Sequence, residues 1–143
     1  MVAADGSRRC DRVPRLKYLL DTHAFVWAAA EDDRLSAKAA RVIATTAWEQ
    51  LAISDVTLQE IGLLVHSRRL RLAGSPGTVL RPLLEFLTVL PITLDIAFTA
   101  PSLPLAHGDQ FDRIIAATAK VHRLVLVSKD ANIAEAGIVE TLW

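Results

Sequence analysis

Apolar residues in this chain fall into two patterns. Some are consecutive: Leu16 to Leu20, Leu51-Ala52-Ile53-Ser54 and Leu124-Val125-Leu126-Val127-Ser128. Runs without polar alternation predict strands covered on both faces, as in a parallel sheet. Others recur at helical spacing. Thr22 caps a predicted helix through Phe25, Val26 and Trp27, and Ser36 caps one running to about Trp48. Further helices are predicted over Val56 to about Ser67, Thr78 to Thr88, Gln110 to about His122, and through Ile133 and Ala134 to a stop at Gly137. Asp55 reads as the cap of the Val56 helix, and Asp95 opens a short helix that Pro101 ends. Pro91 pushes the extended piece Val89 to Leu94 toward a sheet edge, and Ile138 to Trp143 is a last short strand. Turns fall at Glu31-Asp32-Asp33, at Gly74-Ser75-Pro76-Gly77 and over Leu103 to Gly108. Strands alternating with helices predict an α/β sandwich with a mostly parallel central sheet, as one domain over residues 16–143. Residues 1–15 carry four arginines and no periodicity, and read as a flexible N-terminal extension.

Composition narrows this picture only a little. A chain of 143 residues suits one core, and 52% hydrophobic residues is slightly high, which favours a surface partly covered by a partner. The 16 basic and 16 acidic residues cancel, so global charge neither advertises nor excludes nucleic-acid binding. The lone Cys10 forms no internal disulfide. No apolar run approaches the roughly 20 residues that span a bilayer, and no apolar core follows the early arginines as in a secretion signal. A soluble cytoplasmic protein without membrane attachment is the expectation.

Candidate chemistry lies in four carboxylates. Asp21 and Asp130 each end an apolar strand, and ligand sites in open α/β sheets lie outside the carboxyl ends of strands. Asp112 sits in the first turn of its helix, where helices over such a sheet approach the same edge. Glu60 shares a helix face with Val56, Leu63 and Leu64, and a carboxylate in an apolar stripe calls for pairing, protonation or a cation unless it reaches water at the stripe's edge. Each acid also has a bland reading. Asp21 and Asp130 could cap the helices that follow them, and Asp112 could serve the helix dipole or form a capping box with Asp109. If the four converge, their repulsion calls for a hard divalent cation, which points to phosphodiester hydrolysis. Other chemistries lose on residue type: phosphate-binding glycine loops, a nucleophilic serine elbow and zinc-ligand spacing are all absent. Arg68, Arg69 and Arg71 could contact a nucleic-acid backbone, or simply complement a helix C-terminus.

Four segments then carry a family resemblance: Leu19-Leu20-Asp21-Thr22-His23, Gln59-Glu60-Ile61, His107-Gly108-Asp109-Gln110-Phe111-Asp112-Arg113-Ile114-Ile115-Ala116, and Leu126-Val127-Ser128-Lys129-Asp130. In order and spacing, from about Leu16 to Trp143, the chain resembles PIN-domain ribonucleases, and more narrowly the VapC-type toxins of toxin–antitoxin pairs. The resemblance implies a three-layer α/β/α sandwich and a ribonuclease using one or two Mg²⁺ or Mn²⁺ ions. It implies Asp21 and Asp112 as the firmest metal ligands, with Glu60 and Asp130 completing the shell. Asp109 would add a supporting carboxylate, Thr22 and Ser128 would orient acids or water, and Arg113 would pair with an acid or contact phosphate. A cognate antitoxin and a homodimer are the implied partners, and RNA the implied substrate. Gln110 and Gln59 depart from the usual proline and aromatic residue, and Gly62 weakens its helix, but no carboxylate is lost. A PIN-fold nuclease of RNA processing without an antitoxin, and a non-catalytic binding module with the acids as caps, are the alternatives.

Overall fold

The computed structural model describes residues 15–105 and 109–143. The extension expected over residues 1–15 therefore lies, apart from Arg15, outside the described residues, as does His107. Five short strands form the sheet: β1 (Tyr18–Leu20), β2 (Leu51–Ser54), β3 (Thr88–Leu90), β4 (Val125–Val127) and β5 (Thr141–Leu142). Their order is β3-β2-β1-β4-β5, and every pairing is parallel.

Consecutive apolar residues are needed because both faces of the sheet are covered. Leu19, Ala52 and Leu126 point into one core, with Ile96, Ile115 and Ile133. Leu20, Leu51, Ile53 and Val127 point into the other, with Phe25, Ile43 and Ile61. The side-chain period of two thus sorts each strand between two hydrophobic layers. Helices α1 (Thr22–Ala29), α2 (Ala37–Thr45) and α3 (Asp55–His66) supply much of the second layer. Helices α6 (Leu94–Thr99), α7 (Gln110–His122) and α8 (Ala131–Ala136) supply the first. The result is the expected three-layer α/β/α sandwich, with a wholly parallel sheet.

Four local readings change. The cap of α1 is Asp21, whose carboxylate accepts from the Ala24 amide, and Thr22, expected as the cap, is the first helical residue. The helix expected over Thr78 to Thr88 is two single turns, α4 (Pro76–Val79) and α5 (Arg81–Leu84). Ser75 caps the first by accepting from the Thr78 amide at 3.2 Å, and Pro82, which has no N–H to donate, prevents one continuous helix. At α3 the cap is Ser54, whose hydroxyl accepts from the Val56 amide, while Asp55 reaches sideways to the Ile92 amide at 3.2 Å. At α6 the cap is Thr93, with Asp95 inside the first turn. Elsewhere the chemistry is as read: β3 lies at an edge, and Gly137, at φ +65°, ends α8 in the left-handed conformation that glycine adopts without a Cβ clash.

Candidate active site

Strand register brings the first two acids together. Leu20 of β1 pairs with Val127 of β4, and the Asp21 amide continues the ladder to the Val127 carbonyl at 3.1 Å. Asp21 therefore leaves the sheet beside Ser128, and Asp130 follows two residues on. The third and fourth acids come from helices. α7 leads into the start of β4, so its own N-terminus must lie at the opposite, carboxyl edge, and it carries Asp109 and Asp112 there. α3 leaves the carboxyl end of β2 and presents Glu60 in its second turn. Asp21, Glu60, Asp109, Asp112 and Asp130 line one cleft of about 360 Å³, together with His23, Trp27 and Lys129.

The cap reading and the convergence reading are both satisfied. Asp21 Oδ1 accepts from the Ala24 amide at 2.7 Å, Asp130 Oδ1 from Asn132 at 2.8 Å, and Asp109 Oδ1 from Phe111 at 2.9 Å. In a parallel sheet, helix N-termini gather at the carboxyl edge, so acids that cap them face one another. Each capping carboxylate meets its helix through Oδ1. Asp112 closes no capping box with Asp109; among the described residues no hydrogen bond returns from it to the Asp109 amide.

Hydroxyls position the acids. Thr22 is 2% exposed, and its hydroxyl donates to Glu60 Oε1 at 2.6 Å; Glu60 is itself only 9% exposed. The Ser128 hydroxyl accepts from the Asp130 amide at 3.1 Å and also draws the Asp21 carboxyl down, partly countering burial. Burial nonetheless raises Asp21 above the ordinary carboxylate range. Asp112 is pushed up to about 7, first by burial and then by repulsion from Asp109, Asp130, Glu60 and Asp21. Its charged form is thus opposed by every other acid of the cleft. The donor set is all oxygen, which suits a hard divalent cation. Among the described residues no three of these side chains stand close enough to make a ready metal cage.

The remaining sequence candidates lie elsewhere. Arg113 donates to the carbonyls of Ala100 (3.3 Å), Leu103 (3.0 Å) and Leu105 (2.6 Å), in place of the acid or phosphate expected for it. Arg68, Arg69 and Arg71 follow the far end of α3 and do not line the cleft. His23, Trp27 and Lys129 were not among the predicted site residues. Their signal was adjacency: His23 and Trp27 share a face of α1 just after Asp21, and Lys129 precedes Asp130. A larger groove of about 750 Å³ lies between α3 and the α4–α5 turns, but Glu85 is its only carboxylate. Chemistry rather than volume selects the smaller cleft.

The PIN domain family model matches residues 18–139. The chain belongs to the PIN-domain family. Among relatives of this PIN domain, Ribonuclease VapC22 of Mycobacterium tuberculosis is 36% identical over 116 residues, covering 80% of this chain and 88% of that protein. The DNA-bound VapBC of Salmonella typhimurium is similar at a TM-score of 0.67 and 20% identity, over 89% of this chain and 97% of that one. A toxin–antitoxin complex from Klebsiella pneumoniae is similar at a TM-score of 0.62 and 24% identity, over 86% and 95%. At these identities the two structures establish the fold of the PIN domain, and VapC22 supports its kinship.

Proposed function

We propose that this PIN domain is a metal-dependent endoribonuclease and the toxin of a toxin–antitoxin pair. The observation that carries the reading is the cleft itself, which Asp21, Glu60, Asp112 and Asp130 all line. Four acids, two of which also cap helices, fit one or two Mg²⁺ or Mn²⁺ ions, with Asp21 and Asp112 as the principal ligands. A bound ion of this kind polarises a phosphoryl oxygen and makes water nucleophilic at neutral pH. Thr22 holds Glu60 in place, Ser128 fixes the turn that presents Asp130, and Asp109 sets the start of the helix that carries Asp112.

The partners follow from kinship and surface. The name of VapC22 and the toxin–antitoxin complex among the similar structures support RNA as substrate and an antitoxin as inhibitor. Leu94 and Phe98, each 74% exposed, leave the apolar surface that an associating chain, here a homodimer, would cover. No helix among the described residues is long and apolar enough to cross a membrane, consistent with action on cytoplasmic RNA.

The test is a cleavage map on total RNA with Mg²⁺ and with chelator. The native chain should cut only with metal, and Asp112→Asn should not cut. Undiminished cleavage by Asp112→Asn would overturn the assignment. Titration calorimetry with Mn²⁺ separates the non-catalytic alternative, which predicts no binding heat and no gain in melting temperature.

A further inference from the structure

A polyanion cannot enter a cleft of five carboxylates on the strength of those carboxylates. A metal ion supplies part of the missing positive charge, and the protein must supply the rest near the cleft mouth. The cations can be sorted by what already occupies them. Arg113 is engaged by three backbone carbonyls. Arg34 lies over the Trp27 ring, 5.2 Å from its centroid, but is held by both oxygens of Asp32, at 2.7 and 3.0 Å. Arg68, Arg69 and Arg71 do not line the cleft. Lys129 does line it and is exposed, and among the described residues the one ion pair is Arg34 with Asp32.

Lys129 is also held in position without being neutralised. Its ammonium lies over the Trp27 ring, 5.9 Å from the centroid. Trp27 is only 8% exposed and is braced by His23 (centroids 5.4 Å apart) and Trp143 (5.8 Å). An indole face attracts a cation and supports the apolar stem of a lysine, while leaving the ammonium protons free to donate. The neighbouring Asp130 directs Oδ1 to the amides at the start of α8. A lysine presented in this way offers three donors to a phosphate oxygen.

We propose that Lys129 is a substrate-binding residue that receives a backbone phosphate of single-stranded RNA beside the scissile one, on the platform of Trp27. This rests on the nuclease reading above, and the experiment keeps the two apart. Binding of a short labelled single-stranded RNA to the full chain is followed by fluorescence anisotropy, with Ca²⁺ in place of Mg²⁺, across about 50 to 200 mM salt. Lys129→Met keeps an apolar stem on Trp27 without the charge, and Lys129→Arg keeps the charge. One lost phosphate contact should lower the slope of log affinity against log salt by about 0.7. Affinity at the lower salt should fall roughly fivefold, as for one exposed ionic contact, and Lys129→Arg should restore the slope. An unchanged slope in Lys129→Met, with the native chain binding RNA, overturns the assignment of Lys129. Failure of the native chain to bind RNA overturns both readings. Binding with the expected loss of slope, but no cleavage in Mg²⁺, supports Lys129 as an RNA contact and removes the nuclease.

Discussion

The hydroxyl of Thr22 donates to Glu60 Oε1 at 2.6 Å, joining the first turn of α1 to the second turn of α3 across 38 residues. The Thr57 hydroxyl lies 3.3 Å from that of Thr22, a longer contact to the same buried hydroxyl. Thr22→Val preserves shape but removes the hydroxyl that donates to Glu60. Removing one partner of a buried polar pair typically costs about 1–3 kcal/mol. The metal-free variant should lose stability of that order in urea denaturation, and RNA cleavage should fall with it. Thr22→Ser should recover most of both. Unaltered stability and cleavage in Thr22→Val would mean that this bond does not set the position of Glu60.

Asp112 makes the metal-free protein sensitive to pH. In the folded chain its carboxyl keeps a proton up to about 7, against an ordinary value of 3.8. Between those values the folded state binds more protons than the unfolded state, so stability falls as pH rises through this window and levels off above it. Asp21, raised in the same direction by burial, adds to the slope. Melting temperature of the metal-free chain should therefore decline from about pH 4 to about pH 7. Mn²⁺, competing with protons for the same oxygens, should raise it more at pH 8 than at pH 5. Asp112→Asn should flatten the metal-free profile, and a profile rising over that window would contradict the assignment.

Much of this architecture was legible because burial on both faces imposes a simple pattern. Leu19-Leu20, Leu51-Ala52-Ile53 and Leu126-Val127 are strands of the middle of the sheet, and they lack polar alternation for that reason. Strand neighbours were harder to read, since β1 pairs with β4 across about a hundred residues and no local signal encodes that register. The α4–α5 break shows one proline overriding a helical spacing of leucines. Asp21 and Asp130 were legible as strand-end acids, whereas Glu60 was undecided from its helix alone, because its apolar stripe fits either a core edge or a pocket, and only the family resemblance placed it with the other acids. Arg113 could not be assigned in advance, because its partners are carbonyls of the irregular segment from Ala100 to Leu105, and loop carbonyls leave no side-chain pattern. Lys129 was hidden for a similar reason: its use depends on a ring contributed by α1 from the other end of the chain.

Arg113 should act on stability and, through geometry, on activity. Its guanidinium satisfies three carbonyls of the segment that precedes α7. Arg113→Met should destabilise the protein by about 2 kcal/mol, since hydrogen bonds from a charged donor exceed the neutral average. Arg113→Lys should rescue little, because a single ammonium cannot span carbonyls that a planar fork reaches together. Denaturation curves measure the first effect. A drop in kcat as stability falls, with no change in the salt dependence of RNA binding, separates this structural role from a phosphate contact.

Asp21 combines two roles that different substitutions pull apart. Its Oδ1 caps α1 through the Ala24 amide at 2.7 Å, while its charge is disfavoured by burial and by Asp130. Asp21→Asn retains an oxygen for the cap and removes the charge, so the metal-free variant should melt at or above the native temperature. Asp21→Ala also removes the cap, a loss of about 1 kcal/mol, and should melt below Asp21→Asn. Both should lose metal-dependent cleavage and the stabilisation by Mn²⁺, because either change removes a carboxylate from the cleft. Paired melting curves with and without Mn²⁺ decide the matter. A marked fall for metal-free Asp21→Asn would show that the carboxylate serves the fold as an anion, and that the cleft is not organised around a cation.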